Sequence, residues 1–104
     1  MKKIWLDDLR TPPDASWLWI KAAPEGLDHL AKGRVERISL DHDLGNDTEG
    51  TGYTVACWLE GCAAQGMWEL VPSIILVHSA NPVGIQKMLA AIRSIDRLRQ
   101  LSSD

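Results

Sequence analysis

Three short stretches of this sequence place ionisable side chains directly after an apolar run. The stretches are Asp7-Asp8, Asp41-His42-Asp43 and His78-Ser79. Carboxylate oxygens are the ligands that hard divalent cations such as Mg²⁺ and Mn²⁺ prefer. Histidine is the side chain that exchanges a proton near neutral pH without any perturbation of its pKa. The residue types therefore indicate metal binding, acid–base catalysis, or both, provided that the fold brings the three stretches together.

The apolar runs before these stretches are typical of short buried strands. We predict strands at residues 3–6, 17–20, 35–40 and 74–77. Helical spacing of apolar residues predicts one helix from Pro24 to a stop at Gly33, a second over about residues 53–65, and a third after Asn81-Pro82. Strands that are apolar throughout and alternate with helices favour an α/β fold, in which a parallel sheet is covered by helices on both faces.

A parallel sheet explains why the three stretches should meet. Ligands of such sheets bind beyond the carboxyl ends of the strands, where the strand order reverses. In the order 2-1-3-4 the three polar strand ends are neighbours, about 4.8 Å apart from one strand to the next. Because side chains alternate along a strand, we expect only one of Asp7 and Asp8 to point into this crevice. The gathered carboxylates repel each other, so a divalent cation, a held proton, or Arg10 and the histidines must offset their charge.

Composition limits the class of protein. The chain has 104 residues, which is the length of one domain, and we predict a single domain over residues 1–104. A formal net charge of −3 argues against an extended nucleic-acid surface. No apolar run approaches the roughly 20 residues of a membrane span. The N-terminus lacks the apolar region of a signal peptide. Cys57 and Cys62 are spaced for neither a disulfide nor a zinc site, so we expect a reduced, cytoplasmic protein.

The glycine-rich loop over residues 45–52 invites comparison with a phosphate-binding loop. It lacks the lysine of the G-x-x-x-x-G-K-[ST] motif, and its acidic residues would repel a phosphate group. We therefore reject a nucleotide-binding loop here and expect Thr51 to cap the helix that follows.

Longer motifs around the three stretches are similar to those of a known family. They read Leu-Asp-Asp-Leu-Arg-Thr-Pro over residues 6–12, Ser-Leu-Asp-His-Asp-Leu-Gly over 39–45, and His-Ser-Ala-Asn-Pro over 78–82. In this order they resemble the cyclic-phosphate processing receiver domain, a family divergent from the receivers of response regulators. The resemblance runs from the first strand to the last helix. It implies a three-layer receiver-like (flavodoxin-like) sandwich, with a short parallel sheet in the order 2-1-3-4 flanked by helices.

The resemblance also implies an activity on cyclic phosphate ends, in RNA repair or in conflict between phage and host. The expected ligand is a small phosphorylated molecule or an RNA end with a 2′,3′-cyclic phosphate, and the expected enzyme class is a phosphoesterase (a hydrolase). Ring opening needs an activated water, a proton for the leaving oxygen, and cations against the phosphoryl charge. We therefore assign catalysis to His42, His78 and Asp41, substrate binding to Arg10, Ser79 and Asn81, and binding of Mg²⁺ or Mn²⁺ to Asp7, Asp8, Asp41 and Asp43.

Each of these assignments has a structural alternative. His42 can be a salt-bridged structural cation, His78 can donate to a backbone carbonyl, Asn81 can cap the last helix, and Arg10 can neutralise Asp8. The alternative function is a non-enzymatic receiver-like module that binds a partner or a metal in its acidic pocket. The strand at residues 74–77 would then leave an open edge, and a homodimer across that edge is a further expectation.

Overall fold

The computed structural model describes residues 1–45 and 47–102, and Asn46 of the glycine-rich loop lies outside them. Four strands form one sheet: β1 (Lys2–Leu6), β2 (Trp17–Ile20), β3 (Val35–Leu40) and β4 (Ile74–Val77). All pairings are parallel and the order is β2-β1-β3-β4. Three helices accompany them: α1 (Ala23–Ala31), α2 (Gly52–Ala64) and α3 (Pro82–Ser102). The expected α/β class, receiver-like architecture and strand order are confirmed.

Local sequence accounts for where the helices begin and end. Pro24 lies in the first turn of α1, and Gly33 follows that helix with a φ of 76°, a conformation that glycine adopts without strain. The Thr51 hydroxyl accepts a hydrogen bond from the Thr54 amide, and the Thr54 hydroxyl accepts one from the Thr51 amide. This reciprocal capping box confirms the expected role of Thr51 as the cap of α2.

The core lies between one face of the sheet and the three helices. Ile4, Leu6, Ile38 and Leu40 of the central strands are fully buried in it. Leu59 of α2 and Met88 and Ile95 of α3 belong to the same buried cluster. Burying these side chains removes apolar surface from water and is the main stabilising contribution to the fold.

The helices share this face because of the way the chain crosses the sheet. The connections β2–α1–β3 and β3–α2–β4 step in the same direction, and right-handed connections of that kind put their helices on the same side. The third helix packs against α2. The segment 7–16 joins β1 to β2 without a helix, so within the described ranges the opposite face has no helical cover. The expected helices on both faces of the sheet are therefore not found, and the third layer of the predicted sandwich is missing from the described residues. That face carries Trp5, Trp17 and Trp19, all partly buried.

The ends of the sheet and the helices bear on three further expectations. β4 is an edge strand and its Leu76 is exposed, which agrees with the predicted open edge, while the homodimer stays a prediction. Cys57 and Cys62 are free thiols, as the spacing predicted. Among the helices described here, none has the length and hydrophobicity to cross a membrane.

Candidate functional site

The backbone hydrogen bonds of the sheet continue for one residue beyond the ends of β1, β3 and β4. The amide of Asp7 donates to the Ile20 carbonyl, that of Asp41 to the Leu6 carbonyl and that of His78 to the Leu40 carbonyl, each at 3.0 Å. Asp7, Asp41 and His78 therefore form one row across three strand ends. Their side chains leave the sheet on the face opposite the core, because the residues before them point into the core and side chains alternate. The predicted meeting of the three stretches is confirmed.

Asp7 is the most enclosed member of the row. Its side chain is fully buried. The oxygen Oδ1 accepts hydrogen bonds from the amides of Leu9 at 2.8 Å and Arg10 at 2.9 Å, while Oδ2 lies 3.0 Å from Nε2 of His78. The Trp19 indole donates to the backbone carbonyl of Asp7 at 2.7 Å. Buried carboxylates are tolerated when hydrogen-bond donors satisfy them, and three donors do so here.

His78 links Asp7 to the neighbouring strand. Its Nδ1 lies 2.6 Å from Oγ of Ser39, a residue that is 3 % exposed. The ring stacks on the indole of Trp5, with centroids 3.7 Å apart and planes 9° from parallel. Burial lowers the pKa of His78 below its ordinary value, and the opposing effect of the Asp7 hydrogen bond does not cancel this. A neutral ring carries one proton, so Nε2–H donates to Asp7 and Nδ1 accepts from the Ser39 hydroxyl.

The lowered pKa of His78 predicts a pH dependence of folding stability. The unfolded chain binds a proton at His78 near its ordinary pKa of about 6.5, whereas the folded protein binds it only at lower pH. Between these two pKa values the unfolded state holds more protons, so the free energy of unfolding decreases as the pH falls. Urea denaturation in EDTA at pH 7.5 and 5.5 should show a larger loss for the wild type than for His78→Gln. Equal losses would contradict this assignment.

An open cleft of about 280 Å³ lies above the row. Its walls are formed by Asp7, Asp8, Leu9, Arg10, Asp41, Asp43, Gly45 and Ala80. Both Asp7 and Asp8 line the cleft, so the expectation that only one of them would point into it is wrong. The reason is that β1 ends at Leu6. The alternation of an extended strand no longer governs Asp8, because the chain bends at that residue.

Three of the cleft carboxylates fit the requirements of a divalent cation. Asp7, Asp8 and Asp41 each offer an oxygen, and these oxygens lie within 4.8 Å of one another. The donors are all carboxylate oxygens, the set that suits Mg²⁺ or Mn²⁺. Gly45 approaches this group so closely that a Cβ atom there would lie 2.8 Å from Oδ2 of Asp8. Asp43 lines the cleft but lies outside the triplet.

Asp43 belongs to a second cluster that joins the β3 end to α3. Nδ1 of His42 lies 2.9 Å from Oδ1 of Asp43, and the Asn81 amide group donates to both Asp43 oxygens at 3.3 and 3.4 Å. The hydrogen bond from His42 lowers the pKa of Asp43. The His42 ring lies against Gly84 of α3, where any Cβ atom would overlap it. Asn81 also accepts from the Gly84 amide at 3.0 Å, which confirms its alternative role as a helix cap.

The predicted site residues thus separate into two groups. The cleft wall includes Arg10 and the four predicted metal ligands, Asp7, Asp8, Asp41 and Asp43. Within the described residues, the wall does not include His42, His78, Ser79 or Asn81. Arg10 donates from Nη1 to the His78 carbonyl at 3.0 Å, which holds its guanidinium beside the cleft. The Ser79 hydroxyl accepts a hydrogen bond from the backbone N–H of Asn81 at 3.1 Å, and this interaction shapes the turn into α3.

Sequence reasoning missed two residues that support the site. Ser39 received no role, although a polar residue between Ile38 and Leu40 in a buried strand requires a hydrogen-bond partner, which was a usable signal. Trp5 stacks on His78 and donates from its indole to the Arg10 carbonyl at 2.9 Å, contacts that no local pattern indicates.

No curated protein and no solved structure matches this chain. The family model of the cyclic-phosphate processing receiver domain matches residues 2–94, which include all four strands, the row of strand-end residues and the whole cleft wall. The chain belongs to the cyclic-phosphate processing receiver domain family.

Proposed function

We propose that this domain is a phosphoesterase that opens a 2′,3′-cyclic phosphate in the acidic cleft. The observation that carries the proposal is the position of Arg10 in the wall that also holds the carboxylates of Asp7, Asp8 and Asp41. A guanidinium binds phosphoryl oxygens with paired hydrogen bonds. The carboxylates would repel a phosphate without a cation between them, so the arrangement favours binding of phosphate together with Mg²⁺ or Mn²⁺.

Asp7, Asp8 and Asp41 are the residues that would hold the cation, and Asp43 stays a further candidate ligand at the cleft wall. When bound there, the cation supplies positive charge that stabilises the phosphoryl oxygens as negative charge develops on them. Asp7 retains capacity for one such contact, because its two oxygens accept three hydrogen bonds and a carboxylate offers about four lone-pair sites.

The proton transfers require groups that are not already committed to the fold. No hydrogen bond engages the Asp41 carboxylate within the described part of the chain, so we assign Asp41 to accept the proton of the attacking water. The water oxygen forms a bond to phosphorus, one ring P–O bond breaks, and a phosphomonoester results. We assign His42 to protonate the leaving oxygen, because Asp43 holds its Nδ1 and no described residue forms a hydrogen bond with its Nε2.

His78 is assigned to catalysis from the sequence alone, and its contacts in the structure favour a different role. Both of its ring nitrogens are engaged, by Ser39 and Asp7, and its ring is stacked on Trp5. We therefore propose that His78 is a positioning residue that orients the Asp7 carboxylate, rather than an acid or a base. Arg10 contacts the substrate phosphate, whereas Ser79 and Asn81 shape the turn beside it.

³¹P NMR tests the proposed activity directly. Purified protein is incubated with 2′,3′-cyclic AMP or with a short RNA that ends in a 2′,3′-cyclic phosphate, with Mg²⁺, with Mn²⁺ and with EDTA. We expect the cyclic signal to be replaced by that of a phosphomonoester. Asp41→Asn and His42→Ala should abolish the conversion, while Asp96→Asn, which removes an exposed carboxylate on α3, should leave it unchanged.

The alternative is a receiver-like module that binds its ligand or a metal without turnover. It is favoured by one observation, which is that neither histidine forms part of the described cleft wall. The same experiment separates the two functions. Persistence of the cyclic signal on both substrates, together with line broadening or a shift that depends on the protein, would support the binding module and overturn the enzyme.

A further inference from the structure

The cleft wall contains an apolar side chain that the proposed chemistry does not use. Leu9 lines the cleft between Asp8 and Arg10, and it is 82 % exposed. Apart from Met1 at the start of the chain, it is the most exposed large hydrophobic side chain among the described residues. A single exposed leucine on an open surface needs no explanation. Leu9 differs because it lies in a ligand-sized cleft among charged groups.

The position of Leu9 is determined by the backbone rather than by packing of its side chain. Its amide donates to Oδ1 of Asp7 at 2.8 Å, and the next amide, that of Arg10, donates to the same oxygen at 2.9 Å. These two bonds form a tight turn anchored on a fully buried carboxylate. The turn therefore holds the leucine side chain at the lip of the cleft without any need for it to be buried.

The cleft thus offers two kinds of chemistry to a ligand. Asp7, Asp8, Asp41 and Arg10 provide the charged part, and Leu9 and Ala80 provide an apolar part. Ala80 is also exposed. A volume of about 280 Å³ is close to the lower end of the roughly 300–1,000 Å³ of small-molecule sites. It suits a ligand of the size of one nucleotide, with an anionic phosphoryl group and one planar apolar group.

We propose that the Leu9 side chain contacts the nucleobase of a nucleoside cyclic phosphate while the charged part of the cleft holds the phosphoryl group. This inference rests on the proposed function, because it takes the cleft as the phosphate site. Contact with the base removes apolar surface of both groups from water. Leu9 is accordingly a specificity-determining residue, which favours a cyclic phosphate carried by a nucleoside over one carried by a small polyol.

Isothermal titration calorimetry of the full chain in Mg²⁺ tests this contact without any need for turnover. The ligands are 3′-AMP, which is a product of ring opening, and glycerol 2-phosphate, which carries no base. We expect Leu9→Ala to weaken the binding of 3′-AMP roughly tenfold and to leave glycerol 2-phosphate unchanged. Leu9→Met should retain the affinity for 3′-AMP, and Leu76→Ala, which truncates an exposed leucine on β4, should change neither ligand.

Three results would overturn the inference. These are an equal loss for both ligands in Leu9→Ala, no loss for either, and a wild type that does not bind 3′-AMP. Circular dichroism of each variant shows whether a loss reflects unfolding, and Leu9→Met provides a second variant in which the side chain keeps its apolar character. Alanine and methionine at position 9 both keep the backbone amide that donates to Oδ1 of Asp7, so neither replacement removes that hydrogen bond.

Turnover separates this inference from the proposed function. Each variant is also assayed with 2′,3′-cyclic AMP and with ethylene cyclic phosphate, a base-free analogue. If the wild type binds 3′-AMP through Leu9 but opens neither ring, the inference stands and the phosphoesterase is excluded. If Leu9→Ala reduces turnover of both substrates equally, or of neither, the phosphoesterase stands and the base contact is excluded.

Discussion

Asp7→Asn is expected to reduce both folding stability and cation binding, whereas Asp41→Asn is expected to remove cation binding and leave folding intact. Asp7 is fully buried and accepts from two amides and from His78. An asparagine keeps one oxygen, but its NH₂ group then faces Nε2 of His78, so the ring must change tautomer and its hydrogen bond to a carboxylate is lost. A hydrogen bond to a charged group contributes about 1.5–3 kcal/mol. Asp41 has no such partners within the described residues, so its replacement only relieves charge repulsion.

Thermal unfolding with and without Mn²⁺ measures both effects. In EDTA, the Tm of Asp7→Asn should fall and that of Asp41→Asn should equal or exceed the wild-type value. The increase in Tm on addition of Mn²⁺ should be lost in both variants and retained in Asp96→Asn. In Asp41→Asn, turnover should fall by about 10²–10⁴-fold, because the variant lacks the group that accepts the proton of the attacking water. A Tm response to Mn²⁺ that survives in both cleft variants would contradict the cation site.

His78→Gln is expected to lose less activity than His78→Ala. If His78 orients Asp7, a glutamine whose amide N–H reaches the same carboxylate oxygen preserves that function, because no proton transfer is required. The loss of turnover should then be at most about 10–100-fold, the usual effect of removing a partner of a metal ligand. His78→Ala removes the hydrogen bonds to Asp7 and Ser39 and the stack on Trp5. It should destabilise the fold by roughly 2–4 kcal/mol.

The dependence of turnover on pH distinguishes this role from catalysis. A positioning histidine that stays neutral leaves the pH profile of His78→Gln parallel to that of the wild type. A His78 that transfers a proton would instead lose one limb of the profile, and glutamine would be no better than alanine. Ser39→Ala provides a second test, since it removes the hydroxyl that holds Nδ1 and should weaken the Mn²⁺ response without changing the pH profile.

These expectations follow from how the protein offsets a concentration of negative charge. Three alternatives were open on the sequence: a cation, a held proton, or neighbouring cationic side chains. For Asp7, neutral hydrogen-bond donors satisfy the carboxylate, and His78 contributes as a neutral ring because burial lowers its pKa. For Asp43, His42 and Asn81 fill the same need. Among the described residues, no hydrogen bond engages the carboxylates of Asp8 and Asp41, which are left for a ligand, and Asp7 keeps capacity for one further contact.

The sequence by itself determined the strands, the helices and the place of the site. Apolar runs that end in polar residues indicate where the strands stop, and two of them, β1 and β3, end in acids. The alternation of strands with helices predicts a parallel sheet, whose carboxyl ends must meet. The amides of Asp7, Asp41 and His78 extend the ladder as that argument requires. Three motifs in order were sufficient to indicate the family, because each of them lies at one of these strand ends.

Only the tertiary structure decided what each polar residue does there. His78 lies 39 positions from Ser39 and 71 positions from Asp7 in the sequence. Nothing in the local sequence patterns shows that the His78 ring bridges these two side chains. Asp8 lines the cleft because the chain leaves the extended conformation after Leu6, a bend that strand periodicity does not describe. Periodicity reports which face a side chain takes within an element. The role of a residue beyond the end of that element depends on the partners that the other strands bring to it.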